Sequence, residues 1–279
     1  MTAEKAICGI CPHQCSLGEG QAGICRARRN RGGMVVSDSY GVVTSLALDP
    51  IEKKPLYHFH PGRFILSAGS FGCNMRCPFC QNSHISMAGL DAAGPARRVR
   101  PAQLVEAAQA AERKGNIGLA FTYNEPLVGY EFVMDCAKPA AEAGLLNVLV
   151  TNGYICREPL LALLPYIHAM NIDLKGFREA YYAKLGGDLV TVRETIEAAH
   201  NLCHVEITTL IVPGENDSEE EIADAARWLA SLDPSIPYHV SRFFPKWQMT
   251  DREPTPVDKV YALASVARQY LHNVYEGNC

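Results

Sequence analysis

No stretch of this sequence approaches the roughly 18 consecutive apolar residues that a membrane-spanning helix needs. Met1-Thr2-Ala3-Glu4-Lys5 also lacks the basic segment and apolar core of a secretory signal. An excess of one charge is missing too: 26 Lys and Arg stand against 30 Asp and Glu, a formal net charge of -4 with a pI near 6.1. That balance argues against a generic nucleic-acid or anionic-membrane binder. The one basic patch, Arg26-Ala27-Arg28-Arg29-Asn30-Arg31, reads as a solvated turn. With no repeat of fixed period and no low-complexity tract, a cytoplasmic globular protein is expected. Its 279 residues suffice for one substantial core with an appendage and leave little room for two full domains.

Cysteine, by contrast, is plentiful and unevenly placed. In a reducing compartment the eleven cysteines point to metal ligation rather than to a disulfide framework. Two groups look like sites: Cys8, Cys11, Cys15 and Cys25, and then Cys73, Cys77 and Cys80. Cys136, Cys156 and Cys203 lack ligand-like spacing and read as buried small apolar residues, and the terminal Cys279 as exposed.

From about residue 64 onward, short apolar runs alternate with helical patterns, the signature of a parallel sheet in an α/β protein. Six strands are predicted: Phe64 to Gly69, Ile117 to Phe121, Asn147 to Val150, Ala169 to Leu174, Val205 to Val212 and Tyr238 to Phe244. None alternates strictly, as expected where both faces are covered. Pro101 suits a first helical position and Lys114-Gly115 a helix end, while Ser218 with Glu221 predicts a capping box. Six strand-helix units, where a full barrel has eight, predict an open partial (β/α)6 TIM-like barrel over residues 64–279. Residues 1–63 would form a small Cys-rich metal-binding module and linker. Ligands belong at the C-terminal ends of the strands, where polar and ligating residues collect.

The strongest local signal is C-x3-C-x2-C in Gly72-Cys73-Asn74-Met75-Arg76-Cys77-Pro78-Phe79-Cys80, directly after the first strand. Three thiolates can hold three irons of a 4Fe-4S cluster and leave the fourth without a protein ligand, open to a small molecule bearing an amine and a carboxylate. A zinc knuckle is the competing reading. Zinc sites usually show four ligands in two pairs, and here only His84 is placed to complete one.

Spacing and position together resemble the radical S-adenosylmethionine (SAM) superfamily over about residues 64 to 250. The resemblance implies a 4Fe-4S cluster on Cys73, Cys77 and Cys80, SAM as cofactor, and an electron donor such as flavodoxin or ferredoxin. Phe79 matches the family's aromatic beside the adenine. Phe121-Thr122-Tyr123-Asn124-Glu125-Pro126 lies where the family has a Gly-Gly-Glu-like turn that meets the methionine amino group, which implicates the Asn124 backbone or the Glu125 side chain. Asp173-Leu174-Lys175 resembles the Asp-x-Lys element of activating enzymes for glycyl radical proteins. Lys175 would meet the methionine carboxylate and Asp173 would orient the amine or the lysine, the two side chains sharing one face of a strand. The segment Leu210 to Asp217 resembles an adenine-flanking turn that includes Val212, and Thr151, Asn152 and His239 are further candidates for the rim or lumen.

The N-terminal C-x2-C-x3-C-x9-C set lies in a glycine-containing, poorly apolar stretch that could not fold on burial alone. Zinc or a second iron-sulfur cluster would supply the missing folding energy, and spacing does not choose between them. Taken whole, Cys11-Pro12-His13-Gln14-Cys15, Gly23-Ile24-Cys25, Glu52-Lys53-Lys54-Pro55-Leu56 and Ser70-Phe71-Gly72-Cys73 resemble the AmmeMemoRadiSam-system radical SAM proteins, relatives of pyruvate formate-lyase activating enzymes. Three functions compete: a radical SAM enzyme abstracting hydrogen from an unidentified small molecule or protein, a glycyl radical enzyme activase, and a non-catalytic iron-sulfur or zinc module.

Overall fold

The computed structural model describes residues 5–92 and 96–279. Among them one eight-stranded sheet dominates. An edge strand, β1 (Ser45–Pro50), runs antiparallel to β2 (Phe64–Gly69). Six further strands follow, each parallel to its predecessor: β3 (Asn116–Phe121), β4 (Leu146–Thr151), β5 (Ala169–Asp173), β6 (His204–Ile211), β7 (Tyr238–Arg242) and β8 (Val274–Gly277). The two edges are not hydrogen-bonded to each other, so the barrel is open. All six predicted strands form within a residue or two of their expected bounds, and β1 and β8 are additional.

A principal helix joins each successive pair of strands from β2 onward: Pro101–Ala111, Tyr130–Glu142, Arg157–Leu163, Leu189–His200, Glu219–Leu232 and Val257–Ala267, with shorter helices Ser83–Ser86 and Glu179–Leu185 preceding the first and the fourth of them. They cover the outer face through apolar stripes at helical spacing, such as Leu189, Val192, Ile196 and Ala199. Pro101 opens its helix, and Gly115 ends the following turn at φ +84°, a conformation suited to glycine. Only half of the predicted capping box forms. The Ser218 hydroxyl accepts from the Glu221 amide at 3.2 Å, but the Glu221 carboxylate turns inward to accept from the Phe177 amide at 2.6 Å.

Alternate residues of each strand face the lumen, and the lumen changes character from bottom to top. At the N-terminal end, Ile51 and Leu56 pack against Ile65, Ala120, Val148 and Ala169, so the segment after β1 plugs the barrel. Ser67 and Asn171 lie one layer up, and Gly69 and Asp173 stand at the rim. The basic patch is not a solvated turn. Arg28–Arg31 is a strand paired with Met34–Ser37; Arg28 is buried against Glu131 at 2.6 Å, and Arg29 and Arg31 both bond Asp38. No helix among the described residues is long and apolar enough to cross a membrane.

Candidate active site

The C-terminal rim encloses a cavity of about 380 Å³. Its wall contains Cys73, Cys77 and Cys80, together with Phe79, Asn124, Glu125, Thr151, Asn152, Asp173 and Lys175. Residues spread over about a hundred positions of sequence thus meet because each ends a parallel strand or lies in the loop that follows it. Two other predicted residues lie elsewhere. Val212 is buried, its amide donating to Asn216 Oδ1 at 2.7 Å, and His239 sits against Glu206 at 2.7 Å and beside the rings of Tyr57 and Tyr275. His84 is exposed on the short helix Ser83–Ser86.

The cysteine loop is held from beneath by Asn124. Its Oδ1 accepts from the Ser70 amide at 2.9 Å, and its Nδ2 lies 3.1 Å from the carbonyls of Phe71, Gly72 and Glu125. The buried Glu125 carboxylate accepts from Thr151 Oγ1 at 2.7 Å and from the amides of Asn152 and Leu127 at 2.8 and 3.1 Å. Burial nevertheless outweighs these donors and pushes its pKa up to about 7. Lys175 Nζ lies 2.7 Å from Asp173 Oδ2. Burial opposes the ammonium, but the charges of Asp173 and Cys77 prevail and raise its pKa above the usual lysine value.

The donor set suits a thiolate-ligated cluster. Cys73 Sγ accepts from the Met75 amide at 3.4 Å and from Asn152 Nδ2 at 3.6 Å, and the positive charge of Lys175 acts on Cys77. Burial, the largest influence, pushes the Cys77 thiol up to about 11 and Cys73 well above its ordinary value. Ligation would therefore have to displace the thiol protons. As the side chains stand, no three His, Cys, Asp or Glu residues among those described define a metal position on their own.

Cys8, Cys11, Cys15 and Cys25 share a tight, separate space with His13. Burial pushes Cys11 up to about 12 and Cys25 upward as well. This module abuts the cysteine loop: His13 Nε2 is 2.8 Å from the Asn74 carbonyl oxygen, and Asn74 also bonds Asn152 at 2.9 Å. A Cβ added at Gly72 would lie 2.6 Å from the Cys25 carbonyl oxygen.

At the other end of the cavity stand Lys53, Lys54 and Tyr123, with Asp49 behind them, a group not anticipated from sequence. Its members come from β1, the plug and the turn after β3. The legible signal was the adjacent Lys53-Lys54 pair between the apolar Ile51 and Leu56.

An open α/β barrel with a thiol-lined cavity at its strand ends defines a class of cofactor-dependent enzymes, and comparison places the chain within it. A family model described as the radical SAM superfamily matches residues 69–226, and the chain belongs to that superfamily. It is 42% identical over 277 residues to an uncharacterized protein of Methanocaldococcus jannaschii, covering 98% of this chain and 81% of that one. It is 25% identical to the isethionate sulfite-lyase activating enzyme of Nitratidesulfovibrio vulgaris over 54% of this chain and 51% of that one. The fold is shared with a radical SAM methyltransferase from Sphaerobacter thermophilus (TM-score 0.57, 18% identity, 78% of this chain and 67% of that one). It is also shared with SuiB of Streptococcus suis bound to S-adenosylmethionine (TM-score 0.57, 12% identity, 74% and 48%).

Proposed function

We propose that the chain is a radical SAM enzyme in which Cys73, Cys77 and Cys80 hold a 4Fe-4S cluster and the cavity beneath them receives SAM and a substrate. The observation carrying this reading is the convergence of three thiols, a buried carboxylate and a lysine-aspartate pair on one cavity. A cluster bound there would supply the electron for reductive cleavage of SAM and hence the abstraction of hydrogen from the substrate. Lys175 would pair with the methionine carboxylate, with Asp173 fixing its direction. Glu125, already bonded to Thr151 and Asn152, would offer negative charge to the methionine amine. Phe79 would pack beside the adenine, and the enclosing wall would exclude water.

The residues up to 63 serve as a metal-binding module and linker ahead of a barrel spanning 64–279, with the last part of the linker supplying edge strand and plug. Zinc or an iron-sulfur cluster on Cys8, Cys11, Cys15 and Cys25 would then brace the cysteine loop through His13 and Asn74. The substrate is a small molecule or a protein, and a flavodoxin or ferredoxin the electron source. Similarity to activating enzymes, one of them a putative glycyl-radical enzyme activating enzyme of Methanocaldococcus jannaschii, favours a protein glycyl group as a second reading.

The test is anaerobic reconstitution, measurement of iron and zinc per chain, and assay of 5'-deoxyadenosine after addition of SAM and dithionite. Product is expected from the wild type and none from Cys77→Ala; equal product from both would refute the ligand assignment.

A further inference from the structure

The floor of the cavity is built differently from its rim. Lys54, its side chain only 3% exposed, places Nζ 2.7 Å from Asp49 Oδ2 and 4.7 Å from the centre of the Tyr123 ring. The Tyr123 hydroxyl donates to the same Asp49 oxygen at 2.6 Å. Lys53, next in sequence, is 69% exposed and only 3.3 Å from the other Asp49 oxygen. Tyr123 reaches this position at a cost to the backbone, with φ at +72°, where residues other than glycine are uncommon. Its ring lies over Gly69, where an added Cβ would stand 2.7 Å from Tyr123 Cδ2. A buried ion pair alone accounts for neither the strained tyrosine nor the glycine cut away beneath it.

We infer that Lys54 is an imine-forming lysine, and that the substrate of this chamber carries an aldehyde or ketone carbonyl that condenses with its amine. Burial lowers the proton affinity of Lys54 despite its carboxylate partner, and an amine must be neutral to attack. Despite burial, Lys54, Tyr123 and Lys53 hold Asp49 well below the usual carboxylate range, so the ammonium proton passes to water; the nitrogen lone pair then forms the carbon-nitrogen bond, and the carbonyl π electrons move to oxygen. Proton transfer from nitrogen to that oxygen gives the neutral carbinolamine. Hydronium returns that proton to the hydroxyl as the carbon-oxygen bond breaks, with ionised Asp49 beside the developing positive charge. Water leaves, and the iminium carries the single positive charge that the ammonium began with. Tyr123, bonded to Asp49 and lining the cavity, orients that carboxylate. No electron is gained or lost.

The inference rests on reading the cavity as the substrate chamber, yet its test needs neither iron nor SAM, so the two can fail separately. Full-length protein, as purified and after reconstitution, is incubated with pyruvate or glyoxylate, reduced with cyanoborohydride, digested and sequenced by mass spectrometry. The expected result is a reduced adduct on Lys54 at roughly ten times the level on exposed Lys53, absent from Lys54→Arg with a melting temperature close to that of the wild type. Should Lys54→Arg not fold, the Lys54 to Lys53 ratio in the wild type decides alone. Labelling that follows exposure, with Lys53 at or above Lys54, or no adduct with either probe, overturns the inference.

Discussion

Replacing Glu206 by Gln removes the charge that ties the plug to the barrel. This carboxylate, buried on β6, accepts from the amides of Tyr57 and His58 at 3.0 and 2.7 Å, and lies 2.9 and 2.7 Å from His204 Nε2 and His239 Nε2. Burial alone would raise its pKa, but the two histidines and two amides together bring it from 4.5 to about 2. At about 1.4 kcal/mol per tenfold change in proton affinity, the charged form contributes roughly 3 kcal/mol to folding. Because the folded pKa is depressed, that contribution is complete above about pH 4.5 and is lost as pH falls toward 2. Urea unfolding of wild type and Glu206→Gln at pH 7, 5, 4 and 3 reads it directly. The stability difference should be roughly 3 kcal/mol at pH 7 and narrow at pH 4 and below. A difference under about 0.5 kcal/mol at pH 7, or one constant across the series, would refute the reasoning.

Asn124→Ala leaves the Ser70 amide and the carbonyls of Phe71 and Gly72 without their shared partner. A loss of about 2–4 kcal/mol is expected by thermal unfolding, with less iron retained per chain after reconstitution. An unchanged melting temperature would show that the cysteine loop stands without that staple. Lys175→Ala removes a charge-assisted partner from the rim and should weaken SAM binding by about tenfold or more in calorimetry. Binding at wild-type strength would remove Lys175 from the carboxylate role.

The barrel was legible because its signals are local. Each predicted strand is an apolar run between turn-forming residues, and burial on both faces keeps such runs continuous. Strand β8 escaped because its four residues, Val-Tyr-Glu-Gly, are mostly half-exposed and too short to stand out. Strand β1 has three exposed residues, Leu46, Ala47 and the proline that ends it. The rim was legible for a topological reason: whatever follows a parallel strand arrives at the same end of the sheet. The floor was not, since Asp49 and Tyr123 lie 74 positions apart and meet only through packing. One clue was available at Glu206, a carboxylate inside a buried strand, which had to find partners. His239 is one of them, at the plug end of the lumen.

The central claim is a cluster held by three side chains with one iron free to take SAM. Electron paramagnetic resonance of the reduced, anaerobically reconstituted protein, recorded without and with SAM, tests it most directly. The account predicts a 4Fe-4S signal that shifts when SAM is added and disappears in Cys77→Ala. A signal indifferent to SAM in the wild type, or one that survives that substitution, would contradict it.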